Sequence, residues 1–301
     1  MSSKPLDRWA LGRVLTQLAN ASALELARRP LREPPATCAR RIGITGAPGA
    51  GKSTLLGHLA LARAANGRLG ILAVDPSSPR SGGAILGDRV RMDELAGASE
   101  LYIRSLGSRK TSDGLADNLP EMLDAMDDFG FAELMLETVG VGQTEYAARV
   151  QVDTLVLVLL PESGDTVQAM KAGIMEMADI FVVNKADLPG ARKMATDIKR
   201  IAAITHHAQG AWVPPVLLAS ASQPASIGAL SQAIDRHQAW LSGGGRRQAL
   251  KDQRARYRLR RLLEIRAAEV VAQQDAAFFT APLEHQLKLA LELAFGTSPR
   301  T

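Results

Sequence analysis

Arg41-Ile42-Gly43-Ile44-Thr45-Gly46-Ala47-Pro48-Gly49-Ala50-Gly51-Lys52-Ser53-Thr54-Leu55-Leu56 is the stretch that decides the fold. It opens on a β-rich apolar run and closes on a helical pattern, and between them Gly46 to Ser53 spells G-x-x-x-x-G-K-S. A glycine-rich turn joining a strand to a helix lets backbone N–H groups and the helix N-terminus face an anion. The stretch therefore predicts a polyphosphate cradle made by Gly46, Ala47, Pro48, Gly49, Ala50, Gly51, Lys52, Ser53 and Thr54. Lys52 is expected to reach the β- and γ-phosphates, and the Ser53 hydroxyl to bind Mg²⁺.

Working outward, six further β-rich runs alternate with helical stretches. With Arg41–Thr45 the set is Leu69–Val74, Leu101–Arg104, Leu134–Leu136, Leu155–Leu160, Ile180–Val183 and Val216–Ala219. Most are apolar throughout rather than alternating, the mark of parallel strands covered on both faces. The expected fold is α/β: a P-loop domain with a doubly wound, mostly parallel sheet whose ligands sit at the carboxyl ends of the strands. Three regions are expected: an N-terminal helical extension (1–40), the nucleotide domain (41–242) and a C-terminal helical arm (243–301).

In the extension, Leu11, Leu15 and Leu18 predict a helical region over 7–29 with Asp7 as N-cap and Pro30 as stop, followed by the linker Arg32-Glu33-Pro34-Pro35. Ser242-Gly243-Gly244-Gly245 predicts a flexible break before the arm. Beyond it, Leu259, Leu262, Leu263 and Val270 form one stripe, and Leu283, Leu287 and Leu291 another.

The chain has 301 residues, 46% of them hydrophobic and 22% charged, which suits a folded core and excludes a wholly disordered chain. Cys38 is the single cysteine, so no intramolecular disulfide or Cys-only zinc site is available; it is expected to be packed. Met1-Ser2-Ser3-Lys4 leads into a charged segment rather than a signal-like apolar run. The longest clean apolar run, Leu155 to Leu160, is far short of a bilayer span, so a cytoplasmic protein without membrane attachment is expected. The formal charge of +5 is concentrated: residues 246–266 carry +7 and the rest of the chain −2. That segment predicts a helix with a buried leucine stripe and a solvated basic face, suited to an acidic patch on a subunit or partner. With 4% aromatic residues and no recognisable module, no nucleic-acid partner is expected.

The base can be read next. Asn184-Lys185-Ala186-Asp187 follows the run Ile180–Val183. The Asp187 carboxylate can accept from the N1–H and N2–H₂ of guanine, whereas adenine has no N1 donor and would leave the charge unpaired. Lys185 would cover the base plane and Asn184 brace the loop, while Ser220, Ala221 and Ser222 would offer backbone N–H groups near the guanine O6. GTP and GDP are the expected ligands. For the phosphate end, Glu137 closes an apolar strand, Asp75 closes another, and Asp88 lies in Gly82-Gly83-Ala84-Ile85-Leu86-Gly87-Asp88. Ser53, Asp75, Asp88 and Glu137 thus offer oxygens for Mg²⁺. Gly140 can offer its N–H to the γ-phosphate. Lys52, Glu137, Asp88 and Gln143 are the candidate catalytic set; Gln143 stands three residues past Gly140 as a candidate to meet the attacking water.

Val74-Asp75-Pro76-Ser77-Ser78-Pro79, Gly82 to Arg89, Glu137-Thr138-Val139-Gly140-Val141-Gly142-Gln143 and Pro161-Glu162-Ser163-Gly164-Asp165-Thr166-Val167-Gln168-Ala169-Met170-Lys171-Ala172-Gly173 together resemble the MeaB/ArgK-type GTPases of the SIMIBI class, over roughly residues 40–230. The resemblance implies a chaperone of an adenosylcobalamin-dependent acyl-CoA mutase, of which the methylmalonyl-CoA enzyme is the best known. It implies gating of cobalamin loading and protection or reactivation of the mutase, timed by GTP hydrolysis that is slow alone and stimulated by the mutase. It also implies a third switch over Asp165–Gly173, with Asp165, Gln168 and Lys171 coupling to the partner, and a homodimer built on the C-terminal arm. Ser108-Arg109-Lys110-Thr111-Ser112-Asp113-Gly114 departs from the glycine pair frequent in the family at this loop, leaving Arg109 as a candidate switch residue.

Two alternatives stay within the fold. A nickel or cobalt metallochaperone would need His-rich or paired-Cys tracts, whereas His206 and His207 point about 100° apart on a helix. A transport-linked kinase would need a second substrate pocket and a base for its hydroxyl.

Overall fold

Apolar strands must pair their backbone groups with neighbouring strands, and the seven apolar runs do so in one sheet, the third and the seventh of them at its edges. They are β1 (Arg40–Gly46), β2 (Leu69–Pro76), β3 (Leu101–Ser108), β4 (Glu133–Thr138), β5 (Thr154–Leu159), β6 (Ile180–Val183) and β7 (Val216–Leu218). The computed structural model describes residues 5–30, 35, 37–76, 100–108, 115, 118–138, 143–161, 176–205, 210–220 and 223–296. The strand order is β3-β2-β4-β1-β5-β6-β7, with every neighbouring pair parallel. The order turns at β1, which lies between β4 and β5, so the crevice of this doubly wound sheet opens at the carboxyl end of β1.

Nine helices are described: α1 (Arg8–Asn20), α2 (Ala23–Ala27), α3 (Lys52–Arg63), α4 (Leu119–Asp128), α5 (Gln143–Gln151), α6 (Ala191–Thr205), α7 (Pro224–Leu241), α8 (Arg246–Ala272) and α9 (Leu283–Phe295). Strand side chains alternate between the two faces of the sheet. Ile42, Ile44, Met135, Val156 and Val158 pack with Leu55, Leu56 and Leu59 of α3 and Leu230 and Ile234 of α7. Leu72, Val74, Leu134, Leu136 and Leu155 pack on the other face with Leu11, Leu15 and Leu18 of α1, Met122 and Met126 of α4, Ala148 of α5 and Tyr257 of α8. Among the described residues no helix is long and apolar enough to cross a membrane.

Three expectations are corrected. The helical region over 7–29 starts as predicted, with Asp7 Oδ1 accepting from Ala10 N at 2.9 Å, but it breaks at Ala21. Ser22 there starts a second helix with a capping box to Glu25, which competes with continuing the first. Cys38 is exposed rather than packed. The anchoring at this point falls to its neighbour: Ala39 is buried, and its N–H donates to Asp127 Oδ1 at 2.9 Å.

The structure splits the leucine stripe that the sequence predicts for the arm. Leu259 and Leu263 are exposed, at 62% and 44%, while Tyr257, Arg261 and Val270 are buried and Leu262 packs at the core margin. Arg254 Nη2 meets Asp153 at 2.6 Å, and Arg258 Nε meets Glu121 at 2.7 Å with Asp124 at 3.5 Å. Asp153 and Glu121 are themselves buried, and a buried carboxylate without a cation is costly, so arginine rather than leucine is drawn to this face. Part of the +7 segment is thus satisfied inside the chain. The glycine run before it is a tight turn, with Gly244 at φ +63° and Gly245 at φ +72°, closed by the Arg246 guanidinium over the Trp240 ring at 4.1 Å.

At the amino ends of β5 and β6 lies a buried ionisable pair. Asp179 Oδ2 accepts from Leu155 N at 2.7 Å and pairs with Arg149 at 3.1 Å, and His237 Nδ1 lies 2.9 Å from the Thr154 hydroxyl. Burial, with Arg149 adding to it, pushes His237 down to about 4, and burial pushes Asp179 up to about 6. The two act in opposite directions. A lowered histidine gives stability that is full above pH 6.5 and is lost as pH falls toward 4; a raised aspartate gives stability that is full below pH 3.8 and is lost as pH rises through 6. The destabilisation caused by His237→Asn, measured by urea unfolding against the wild type, is therefore expected to be smaller at pH 5 than at pH 7.5 by about 1–2 kcal/mol. An equal difference at both pH values would contradict the assignment.

Candidate nucleotide site

The loop leaves β1 at Gly46, whose φ is +142°, and a Cβ there would run into the carbonyl of Val158 on β5. Only glycine permits this approach. Gly49 follows at φ +79° with open space where a Cβ would stand, so the top of the loop is left clear. Gly51, at φ +81°, opens α3 without a side chain to cap it. The N–H groups of the first turn are thereby available to an anion in the loop. Lys52 is buried, and its Nζ donates to Ala47 O across the loop at 3.0 Å, which keeps the ammonium at the cradle. These are the features of a polyphosphate cradle built in backbone.

Ser53, in the first turn of α3, donates its hydroxyl to Glu137 Oε1 at 2.7 Å. Glu137 lies at the end of β4 on the face turned to α3, one residue beyond the apolar run, so the fold itself brings these two predicted residues together. Asp75 occupies the end of β2, one position past the Val74–Thr138 pairing with β4. Asp75 and Gln143 are placed by their backbones alone. Among the described residues, no group of three or more His, Cys, Asp or Glu gathers as a metal site.

The base-reading loop lies next to this cradle. Asn184 is buried and its Nδ2 donates to Ala50 O at 2.8 Å, tying the loop after β6 to the phosphate loop. A Cβ on Gly51 would press on that amide at 2.5 Å, so Gly51 and Asn184 require one another. Lys185 is the one non-glycine residue at positive φ among the described residues, at 53°. Ala186 N–H donating to Ala219 O and Leu188 N–H donating to Lys185 O, both at 2.9 Å, hold it there. Lys185 and Asp187 are exposed, where the one could stack on a base and the other accept from it. Ser220 is buried, and its hydroxyl donates to Asp187 Oδ1 at 3.1 Å, orienting the carboxylate, whereas the sequence reading gave Ser220 only a backbone N–H for the guanine O6. Asp88, Arg109, Gly140, Asp165, Gln168, Lys171, Ala221 and Ser222 lie outside the described residues, as do His206 and His207. The reading assigned nothing to Thr45 and Thr138, whose hydroxyls meet at 3.0 Å behind the loop. Two threonines closing otherwise apolar strands were the available signal.

Residues 11–276 match the family described as methylmalonyl Co-A mutase-associated GTPase MeaB. The chain belongs to the MeaB family. The GTPase ArgK of Escherichia coli is 35% identical over 228 residues, covering 74% of this chain and 69% of that protein. The mouse methylmalonic aciduria type A homolog, a mitochondrial protein, is 39% identical over 186 residues, 60% of this chain and 45% of its own. A crystal structure of a LAO/AO transport system kinase has the same fold, with a TM-score of 0.62 at 22% identity over 96% of this chain and 99% of that one. As a MeaB-family protein the chain is a P-loop GTPase, and the cradle and base loop have the chemistry for guanine nucleotides. Asp187→Asn exchanges a two-fold acceptor for one acceptor and a donor. It is expected to weaken GDP binding at least about 100-fold and to raise affinity for xanthosine diphosphate, whose C2 carbonyl accepts from the new amide, in titrations with both nucleotides. Unchanged GDP affinity would remove Asp187 from the base site.

Proposed function

We propose that this GTPase is the chaperone of an adenosylcobalamin-dependent acyl-CoA mutase of the methylmalonyl-CoA type, gating cobalamin loading and protecting or reactivating the mutase. The match of the mutase-associated family across residues 11–276, over an assembled phosphate cradle, carries this reading. The mouse relative's name adds support, since it refers to methylmalonic aciduria.

In this reading Gly46 to Thr54 hold the polyphosphate and Lys52 neutralises charge on the β- and γ-phosphate oxygens. Asn184, Lys185, Asp187 and Ser220 to Ser222 select guanine. Ser53 and Glu137 form an oxygen pair of the kind a hard cation prefers, with Asp75 and Asp88 as further candidates, and bound Mg²⁺ would supply charge neutralisation at the transferring phosphoryl group. Gly140 would donate to the γ-phosphate and Gln143 would orient water, while Arg109, Asp165, Gln168 and Lys171 would carry the nucleotide state to the mutase. Phosphoryl transfer then depends on positioning, so hydrolysis is slow until the partner completes the site.

The protein acts as a homodimer through its arm in the same reading. Leu283, Leu287 and Leu291 of α9 are exposed at 78%, 59% and 51%, and Leu259 and Leu263 of α8 are exposed as well. Exposed leucines repeated along one helix face in this way suit an interface.

Phosphate release from GTP is expected to rise about tenfold or more on adding a saturating acyl-CoA mutase of this class. Equal rates with and without the mutase would contradict the proposal. Independently, sedimentation of the wild type is expected to give a dimer and that of Leu287→Asp/Leu291→Asp a monomer that still binds GDP; a wild-type monomer would contradict the arm's role.

A further inference from the structure

β1 and β4 run side by side until the point where their functions separate. Their ladder ends at Ile44 opposite Glu137. Beyond it β1 turns toward β5, pairing Gly46 with Val158, while β4 stays with β2, pairing Thr138 with Val74. One strand enters the phosphate loop and the other has just delivered Glu137 to Ser53. At this fork the next residues of the two strands, Thr45 and Thr138, are joined by their side chains: Thr138 Oγ1 donates to Thr45 Oγ1 at 3.0 Å. Both are fully buried, at 0% and 1% exposure, on the sheet face opposite Glu137. That face is covered by α5, which packs on β1 and β4.

We propose that the Thr45–Thr138 hydroxyl bridge is a positioning device for GTP hydrolysis, setting the separation between the phosphate loop and the Glu137 carboxylate. The argument is one of distance. Two hydroxyls joined by a hydrogen bond approach to about 2.7–3.0 Å, whereas two methyl groups in contact need roughly 3.5–4.0 Å. No apolar pair can hold the fork this closed, although an apolar pair would suit the surrounding core better. Glu137 lies next to Thr138 in the chain, and the Ser53 end of α3 follows from Thr45 through the phosphate loop. Opening the fork therefore moves the two ends of the Ser53–Glu137 contact apart. Groups that act by positioning lose rate steeply with such displacements, while binding spread over many backbone N–H groups is less affected. Neither threonine touches the nucleotide in this account; both act through the loop and Glu137.

Valine is the informative replacement, since it keeps the shape and removes the hydroxyl. A single Thr45→Val or Thr138→Val leaves the other hydroxyl buried without its partner, whereas the double variant replaces both and is close to neutral for stability. Thermal unfolding, GDP affinity and kcat for GTP hydrolysis would be measured for T45V/T138V and for T45S/T138S. The double valine protein is expected to melt near the wild type and bind GDP within about threefold of it, with kcat lowered roughly 10- to 100-fold by the misplacement. The double serine protein keeps both hydroxyls and is expected to turn over within about twofold of the wild type. A double valine protein with wild-type kcat overturns the proposal, as does a kcat loss matched by an equal loss of GDP affinity. If the valine protein does not fold, Thr138→Ala against Thr138→Ser decides the matter in the same way: a lowered kcat in the alanine variant alone supports the bridge, and equal rates overturn it.

Discussion

The carbonyl of Val158 stands where a Cβ on residue 46 would have to go. Because Gly46 has none, β1 can press against β5 at its very end and then turn sharply, and the rest of the site depends on that turn. It puts Gly49 over the carboxyl edge of the sheet, starts α3 at Lys52 and brings Ser53 down to Glu137 at the end of β4. A second close approach, Gly51 beneath the Asn184 amide, links the cradle to the base loop through the hydrogen bond to Ala50 O. Phosphate end and base end are therefore braced together by backbone, and the chemistry is left to a few side chains. For phosphoryl transfer this division is economical, since the reaction asks mainly for fixed positions and fixed charge.

A sheet covered on both faces leaves its strand ends as the places where polar groups can be used. The carboxyl ends carry the residues proposed to hold the nucleotide. The amino ends carry ion pairs and hydrogen bonds that fasten helices to the sheet: Arg41 with Asp124 and Asp127, Arg63 with Glu133, Asp179 with Arg149, and Asp153 with Arg254 of the arm. This last contact accounts for part of the arm's charge. The arm's basic residues look outward in the sequence, yet Arg254 and Arg258 answer carboxylates of the nucleotide domain. The outside of the arm carries exposed leucines together with the remaining basic residues, among them Lys251, Arg256 and Arg260.

Most of the fold was legible before any coordinates. Each apolar run became a parallel strand because burial on both faces leaves no other reading for short β-branched stretches between helices. The positions of the Gly46–Ser53 and Asn184–Asp187 loops at strand ends were legible as well, since backbone geometry confines those residue types to those spacings. Less legible were contacts that depend on where separate segments meet. Helical spacing located the leucines of α8 on a stripe but could not say that Glu121 and Asp153 wait on the opposite side, buried and needing cations. The break at Ser22 was written as a capping box, Ser22 to Glu25, and was hidden by the leucine period that precedes it. Thr45 and Thr138 lie 93 positions apart, and only the strand order brings their hydroxyls together.

The account rests on a guanine-specific phosphate site in which Asp187 reads the base and the cradle positions the phosphates. Competition between GTP and ATP for the purified wild-type chain, with phosphate release followed for each, tests it most directly. The account predicts that GTP binds at least about 100-fold more tightly than ATP and that GTP alone is hydrolysed, because adenine leaves the Asp187 carboxylate without donors. Comparable affinities, or ATP hydrolysis at the GTP rate, would contradict it.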